Sequence, residues 1–168
     1  MLTGLLSSCK SLALTVITAV LLLCLVATAA GRADARLNFT GTTLSGGSFS
    51  GSSLQGKPAV LWFWTPWCPF CNIEAPGVSE VSASNPKVTF VGIAGRSDAG
   101  QMQGFVSKYN LNFTNLNDSD GSLWARFGVP WQPAYLFVRP DGSSTFVNNP
   151  TAAMPEQELS DRVKALTA

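Results

Sequence analysis

Ala59-Val60-Leu61-Trp62-Phe63-Trp64 runs into Thr65-Pro66-Trp67 and then into Cys68-Pro69-Phe70-Cys71. Six consecutive apolar residues are too few for a helix, and Gly56-Lys57-Pro58 breaks the chain just before them, so they read as a strand covered on both faces. The segment from Cys68 to about Ser84 reads as a helix, which places both cysteines in its first turn. The backbone N–H groups and positive dipole end there favour a thiolate at Cys68. Cys68 is therefore expected as the nucleophile, at an exposed mouth, with Cys71 one turn inside to resolve a mixed disulfide. A C-x-x-C is also a zinc signature, but zinc takes about four ligands, and there is no histidine and no third cysteine nearby. A purely structural disulfide across two residues would restrict the unfolded chain little.

Outward from this centre, Val88 to Ile93 is a second buried strand, and Met102, Phe105, Val106 and Tyr109 recur at helical spacing between Asp98 and Tyr109. Ala134 to Arg139 and Ser144 to Asn148, joined by Pro140-Asp141-Gly142-Ser143, form a β-hairpin. Pro155 opens a last helix with Leu159, Val163 and Leu166 on one face. Leu37 to Thr40 and Gly47 to Ser50 suggest a small hairpin added to the main sheet. The order is β-hairpin, β, α, β, α, β, β, α.

Composition narrows the function. The 168 residues carry 46% hydrophobic and 12% charged side chains, no histidine and a net charge of +1. The missing histidine removes Ser/His/Asp and Cys/His catalysis, and the near-neutral balance removes the electrostatic case for nucleic acid. Ser11 to Gly31 holds no ionisable side chain except the thiol of Cys24, follows Lys10, and leads into small residues at Ala27, Ala29, Ala30, Ala33 and Ala35. Residues 1–33 read as a cleaved secretory signal, with an uncleaved membrane anchor as the alternative, and 34–168 as a single domain. Cleavage removes Lys10 and Arg32, so eleven basic residues become nine against ten acidic ones, and it removes Cys9 and Cys24. Cys68 and Cys71 are then the two cysteines exposed to an oxidising compartment.

Phe63-Trp64-Thr65-Pro66-Trp67-Cys68-Pro69-Phe70-Cys71 resembles the active-site strand and turn of thioredoxin-fold proteins. The continuation Asn72-Ile73-Glu74-Ala75-Pro76 is similar to the extension found in the TlpA/DsbE branch, and residues from about 36 to 168 look like the secreted actinobacterial DsbE-type proteins. The resemblance implies an α/β thioredoxin fold, a central mixed sheet flanked by helices, with the N-terminal β-hairpin as an extension. It implies Trp67 as the aromatic before the redox pair and Pro76 as the proline that interrupts the active-site helix. Glu74 matches the glutamate of the branch and, one turn after Cys71, is placed to relay its proton. Pro133 matches the family's cis-proline, with Pro130 as the competitor, and puts the Gln132 backbone beside the disulfide for an extended substrate. Phe70 offers an apolar contact to unfolded chains.

Some features depart from these patterns. Thioredoxins carry a buried aspartate where this chain has Trp62, which leaves Glu74 as the nearest base and speaks against strong reducing power. Thr65-x-x-Cys68 is like the end of a peroxiredoxin motif whose proline would fall at Leu61. Trp124 and Trp131 are read first as core residues, with a peptide-binding wall as the alternative use. The implied activity is that of a monomeric, secreted thiol-disulfide oxidoreductase without cofactor or metal. It oxidises or isomerises cysteines of exported proteins that arrive reduced or misoxidised, with a membrane electron-transfer partner as a possible recycler. Two alternatives stand beside it, a reductase of the cytochrome c maturation type and a secreted binding or scaffold protein with a structural disulfide.

Overall fold

The computed structural model describes residues 34–168; the signal or anchor expected over 1–33 lies outside the described residues. Everything is arranged about β3 (Ala59–Trp64), whose six residues are all buried. It lies between β4 (Thr89–Gly95), parallel with Leu61 opposite Val91, and β6 (Ala134–Val138), antiparallel with Leu61 opposite Leu136. Strand side chains alternate between faces, so each face of β3 must be apolar if both are covered. Val60, Trp62 and Trp64 enter one core with Cys71, Ala75 and Val78 of α1 (Pro69–Ser84), Phe105 of α2 (Ala99–Lys108) and Leu159 of α4 (Glu156–Lys164). Ala59, Leu61 and Phe63 enter the other, with Leu37, Leu54 and Leu123, Trp124 and Phe127 of α3 (Ser122–Phe127).

The sheet has seven strands in the order β2 (Ser48–Ser50), β1 (Thr40–Thr43), β5 (Thr114–Asp118), β4, β3, β6 and β7 (Ser144–Asn148), a mixed sheet flanked by helices in the thioredoxin manner. The N-terminal hairpin is β1 with β2, and it extends the sheet because β1 pairs antiparallel with β5. The expected C-terminal hairpin is present as β6 with β7.

Two elements were absent from the sequence reading, β5 and α3. Thr114-Asn115-Leu116-Asn117-Asp118 has the composition of a loop, yet Asn115, Leu116 and Asp118 are buried. Their polarity is used internally. Asn115 donates from Nδ2 to the Phe113 carbonyl at 2.8 Å, and Asp118 accepts the Leu123 and Trp124 N–H groups at 2.8 and 2.9 Å, which caps α3. α3 has six residues bounded by Gly121 and Gly128, both at positive φ, and is too short for an apolar period to show.

Candidate active site

Cys68 is the N-cap of α1 and Pro69 its first residue, a position where a missing N–H costs nothing. The Cys68 Sγ accepts the Cys71 N–H at 3.4 Å, so the thiol turns back over the helix's first turn. That orientation corrects the expected exposed mouth, since Cys68 is only 3% exposed. Cys71 is 0% exposed, and the two cysteines are unbridged thiols here. Burial pushes the Cys71 thiol far up; the Thr65 backbone N–H opposes this, and the neighbouring Cys68 and Glu74 reinforce it.

The turn preceding Cys68 is held by a residue whose role the sequence left unread. Asn72 donates from Nδ2 to the Pro66 and Cys68 carbonyls at 3.0 and 2.9 Å. Its Oδ1 accepts the Tyr109 hydroxyl at 2.7 Å and the Lys108 ammonium at 3.3 Å, which ties the cysteine turn to the end of α2. Trp67, 51% exposed, donates its indole N–H to the Arg96 carbonyl at 2.9 Å. Beside it lies a cleft of about 310 Å³ lined by Pro66, Trp67, Asn72, Gln101, Phe105 and Lys108. Phe70, expected as a substrate contact, is half-buried against the α1 side of the core.

Glu74 faces inward, 4% exposed, one turn beyond Cys71. Its Oε2 accepts the Tyr135 hydroxyl at 2.7 Å and the Trp62 indole N–H at 3.1 Å, and its Oε1 accepts the Met154 backbone N–H at 2.6 Å. Burial raises its pKa to about 7 against the pull of those three donors. Trp62, in the place of a thioredoxin's acid, thus serves this acid from the neighbouring strand. Burial and the adjacent Glu74 also lift the Tyr135 hydroxyl well above its ordinary range.

The Gln132-Pro133 bond is cis, and Pro133 rather than Pro130 leads into β6. Asn148 on β7 fixes this loop by donating from Nδ2 to the Trp131 and Pro133 carbonyls at 2.8 and 3.0 Å. Gln132, expected beside the disulfide as a substrate contact, is 1% exposed as a whole residue, so its backbone is enclosed along with its side chain. Trp124 is buried as expected, whereas Trp131 is 47% exposed and not a core residue: its ring lies on the loop outside the sheet, against the Arg96 guanidinium.

The AhpC/TSA family model matches residues 33–147. Soluble secreted antigen MPT53 of Mycobacterium tuberculosis strain H37Rv is 74% identical over 136 residues, 81% of this chain and 79% of that protein. Among solved structures, a secreted Mycobacterium tuberculosis disulfide oxidoreductase homologous to E. coli DsbE is 75% identical with a TM-score of 0.79, over 80% of this chain and 100% of that one. The structure of MTB DsbF in mixed oxidized and reduced forms is 54% identical with a TM-score of 0.76, over 80% and 99% of the two chains.

Proposed function

The chain belongs to the AhpC/TSA family of thioredoxin-like proteins and is a thiol-disulfide oxidoreductase with Cys68 and Cys71 as its C-x-x-C pair; from that premise we propose that it works as an oxidant of thiols in exported proteins. The observation that carries this direction is the seat of Cys68 at the N-cap of a sixteen-residue helix, its sulfur already accepting a backbone N–H. A reduced state favoured in this way makes the disulfide the more willing electron acceptor.

In the forward reaction a substrate thiolate attacks the Cys68 sulfur of the disulfide. The Cys68–Cys71 bond breaks, a bond between Cys68 and the substrate forms, and Cys71 leaves as a thiolate. Charge on a fully buried sulfur is unfavourable, so Cys71 takes a proton, and Glu74, with a pKa of about 7, is partly protonated at neutral pH and supplies it. A second substrate thiolate attacks the substrate's own sulfur in the mixed disulfide, and Cys68 departs as a thiolate onto the helix N-terminus. The substrate loses two electrons and the protein gains a dithiol, which an external electron acceptor must reoxidise. Residues 1–33 are the cleaved signal that delivers the chain to exported substrates, a placement supported by the secreted relatives.

Equilibration with glutathione tests the direction. A reduction potential toward about −120 mV supports the oxidant, and one near about −270 mV supports the cytochrome c maturation type of reductase instead. A value below about −300 mV points to an inert structural bridge.

A further inference from the structure

The loop after β4 carries a residue that the exchange chemistry does not use. Arg96 has φ +52°, a left-handed conformation that strains a bulky side chain. The other non-glycine residue at positive φ among the described residues is Asn110, a type that tolerates the region. Arg96 sits between the turn that leads into Cys68 and the loop that leads into the cis-proline. Its carbonyl accepts the Trp67 indole N–H at 2.9 Å, and its Nη2 donates to the Pro130 carbonyl at 3.2 Å. Its guanidinium lies 4.8 Å from the centre of the Trp124 ring and 5.7 Å from that of Trp131.

Among the described residues the cation so placed lacks a counter-ion. The ion pairs among the described residues are Arg36 with Asp34 and Arg162 with Glu158. The nearest acid in sequence, Asp98, is engaged in capping α2 through the Gln101 N–H at 2.9 Å. Arg96 uses one of its five donors within the described residues and is exposed to solvent. It stands between Trp67 and Trp131, two of the large apolar side chains that the surface leaves exposed. A guanidinium without an acidic partner, backed by the buried Trp124 ring and flanked by the exposed Trp131 ring with Trp67 tied to its backbone, has the chemistry of a recognition rim, with the cation suited to a carboxylate and the exposed rings to the apolar parts of a chain.

We propose that Arg96, between Trp67 and Trp131, is a specificity-determining residue that selects polypeptide substrates bearing an acidic side chain within a few residues of the reacting cysteine. The inference rests on the exchange reading given above. A rim charge acts mainly on the encounter rate and its salt dependence, and leaves the sulfur chemistry to the cysteine pair.

The test uses the oxidised protein and two synthetic dithiol peptides that differ only by Asp or Asn beside one cysteine, followed by stopped-flow fluorescence. At low ionic strength the Asp peptide should react faster relative to the Asn peptide with wild-type protein than with Arg96→Gln by about fivefold, a ratio in which the peptides' own thiol reactivities cancel. Arg96→Lys should keep part of the preference, and about 0.5 M salt should abolish it in the unaltered protein. A wild-type preference insensitive to salt, or the same ratio in Arg96→Gln, would overturn the assignment while exchange itself stands. Reaction with neither peptide would overturn the exchange reading and the assignment together.

Discussion

The Tyr135 hydroxyl donates to Glu74 at 2.7 Å across 61 residues of sequence, joining β6 to the redox helix inside the core. Tyr135 is itself 2% exposed, so this contact has no competing solvent. It draws together three parts of the proposed chemistry. Glu74 is the proton store for Cys71, Tyr135 holds its Oε2, and the strand that carries Tyr135 begins at the cis Gln132-Pro133 bond.

Removing that hydroxyl should move the pH response of the reaction. Tyr135 donates to the ionised carboxylate and therefore holds the Glu74 pKa down against burial. In Tyr135→Phe the pKa should rise above about 7, and the rate of substrate oxidation should follow with its midpoint displaced toward alkaline pH. Loss of one buried hydrogen bond should cost about 1–3 kcal/mol of stability. An unshifted pH–rate profile in a folded variant would remove Glu74 from the proton path.

Stability should also record Glu74. Its folded pKa of about 7 lies above the ordinary 4.5, so the native state holds the proton more tightly than the unfolded chain. The contribution is fully present below about pH 4.5 and is lost as pH rises through about 7, a change on the order of 3 kcal/mol. Urea unfolding of the reduced protein should therefore show stability falling across this window. Glu74→Gln, which does not titrate, should flatten that slope.

The residues that announced the fold were those with a local signature. An apolar run ending in Trp64 and a cysteine pair beginning at Cys68 are contiguous, so strand, helix and redox pair could be read together. Glu74 was legible as an acid one turn after Cys71. Its partners were not, because Tyr135 and Met154 are 61 and 80 residues away and only the packed sheet and α4 bring them close. Strand β5 escaped for a different reason. Hydrophobic patterning assumes that buried means apolar, and Asn115 and Asp118 are buried polar residues, with backbone partners for the Asn115 amide nitrogen and the Asp118 carboxylate. Trp131 shows the converse, an aromatic ring read as core that the structure leaves at the surface.

Burial and helix position both separate the two thiols, so reaction order should too. Cys71 is fully enclosed and its thiol is pushed up, while Cys68 caps the helix with a small accessible area. Alkylation of reduced protein at neutral pH should label Cys68 first, as read by peptide mass mapping, and first labelling of Cys71 would reverse the assigned roles. With Cys71→Ser, the Cys68 thiolate can still attack a disulfide-bearing substrate protein, displacing one of its sulfurs as a thiolate, and the resulting mixed disulfide should persist because the thiol that would release the partner is gone.

Asp118 offers a test of the structure away from the sulfur chemistry. Its carboxylate is 1% exposed and accepts the Leu123 and Trp124 N–H groups together with the Ser122 hydroxyl at 3.3 Å. Those N–H groups are the unpaired donors of a helix start, and deleting the carboxylate removes the partner they have in the fold. Asp118→Ala should cost about 2–3 kcal/mol in urea unfolding, more than an exposed cap. Asp118→Asn should recover part of this, since one amide oxygen still accepts. Trp124 rests in α3 with its ring against Phe63 and its indole N–H on the Ile93 carbonyl, so loosening α3 should reach the face of β3 opposite the cysteines first. Near-ultraviolet circular dichroism should report altered tryptophan packing, while Cys68 alkylation changes little. An Asp118→Ala protein as stable as wild type would mean that α3 is held by its apolar face alone.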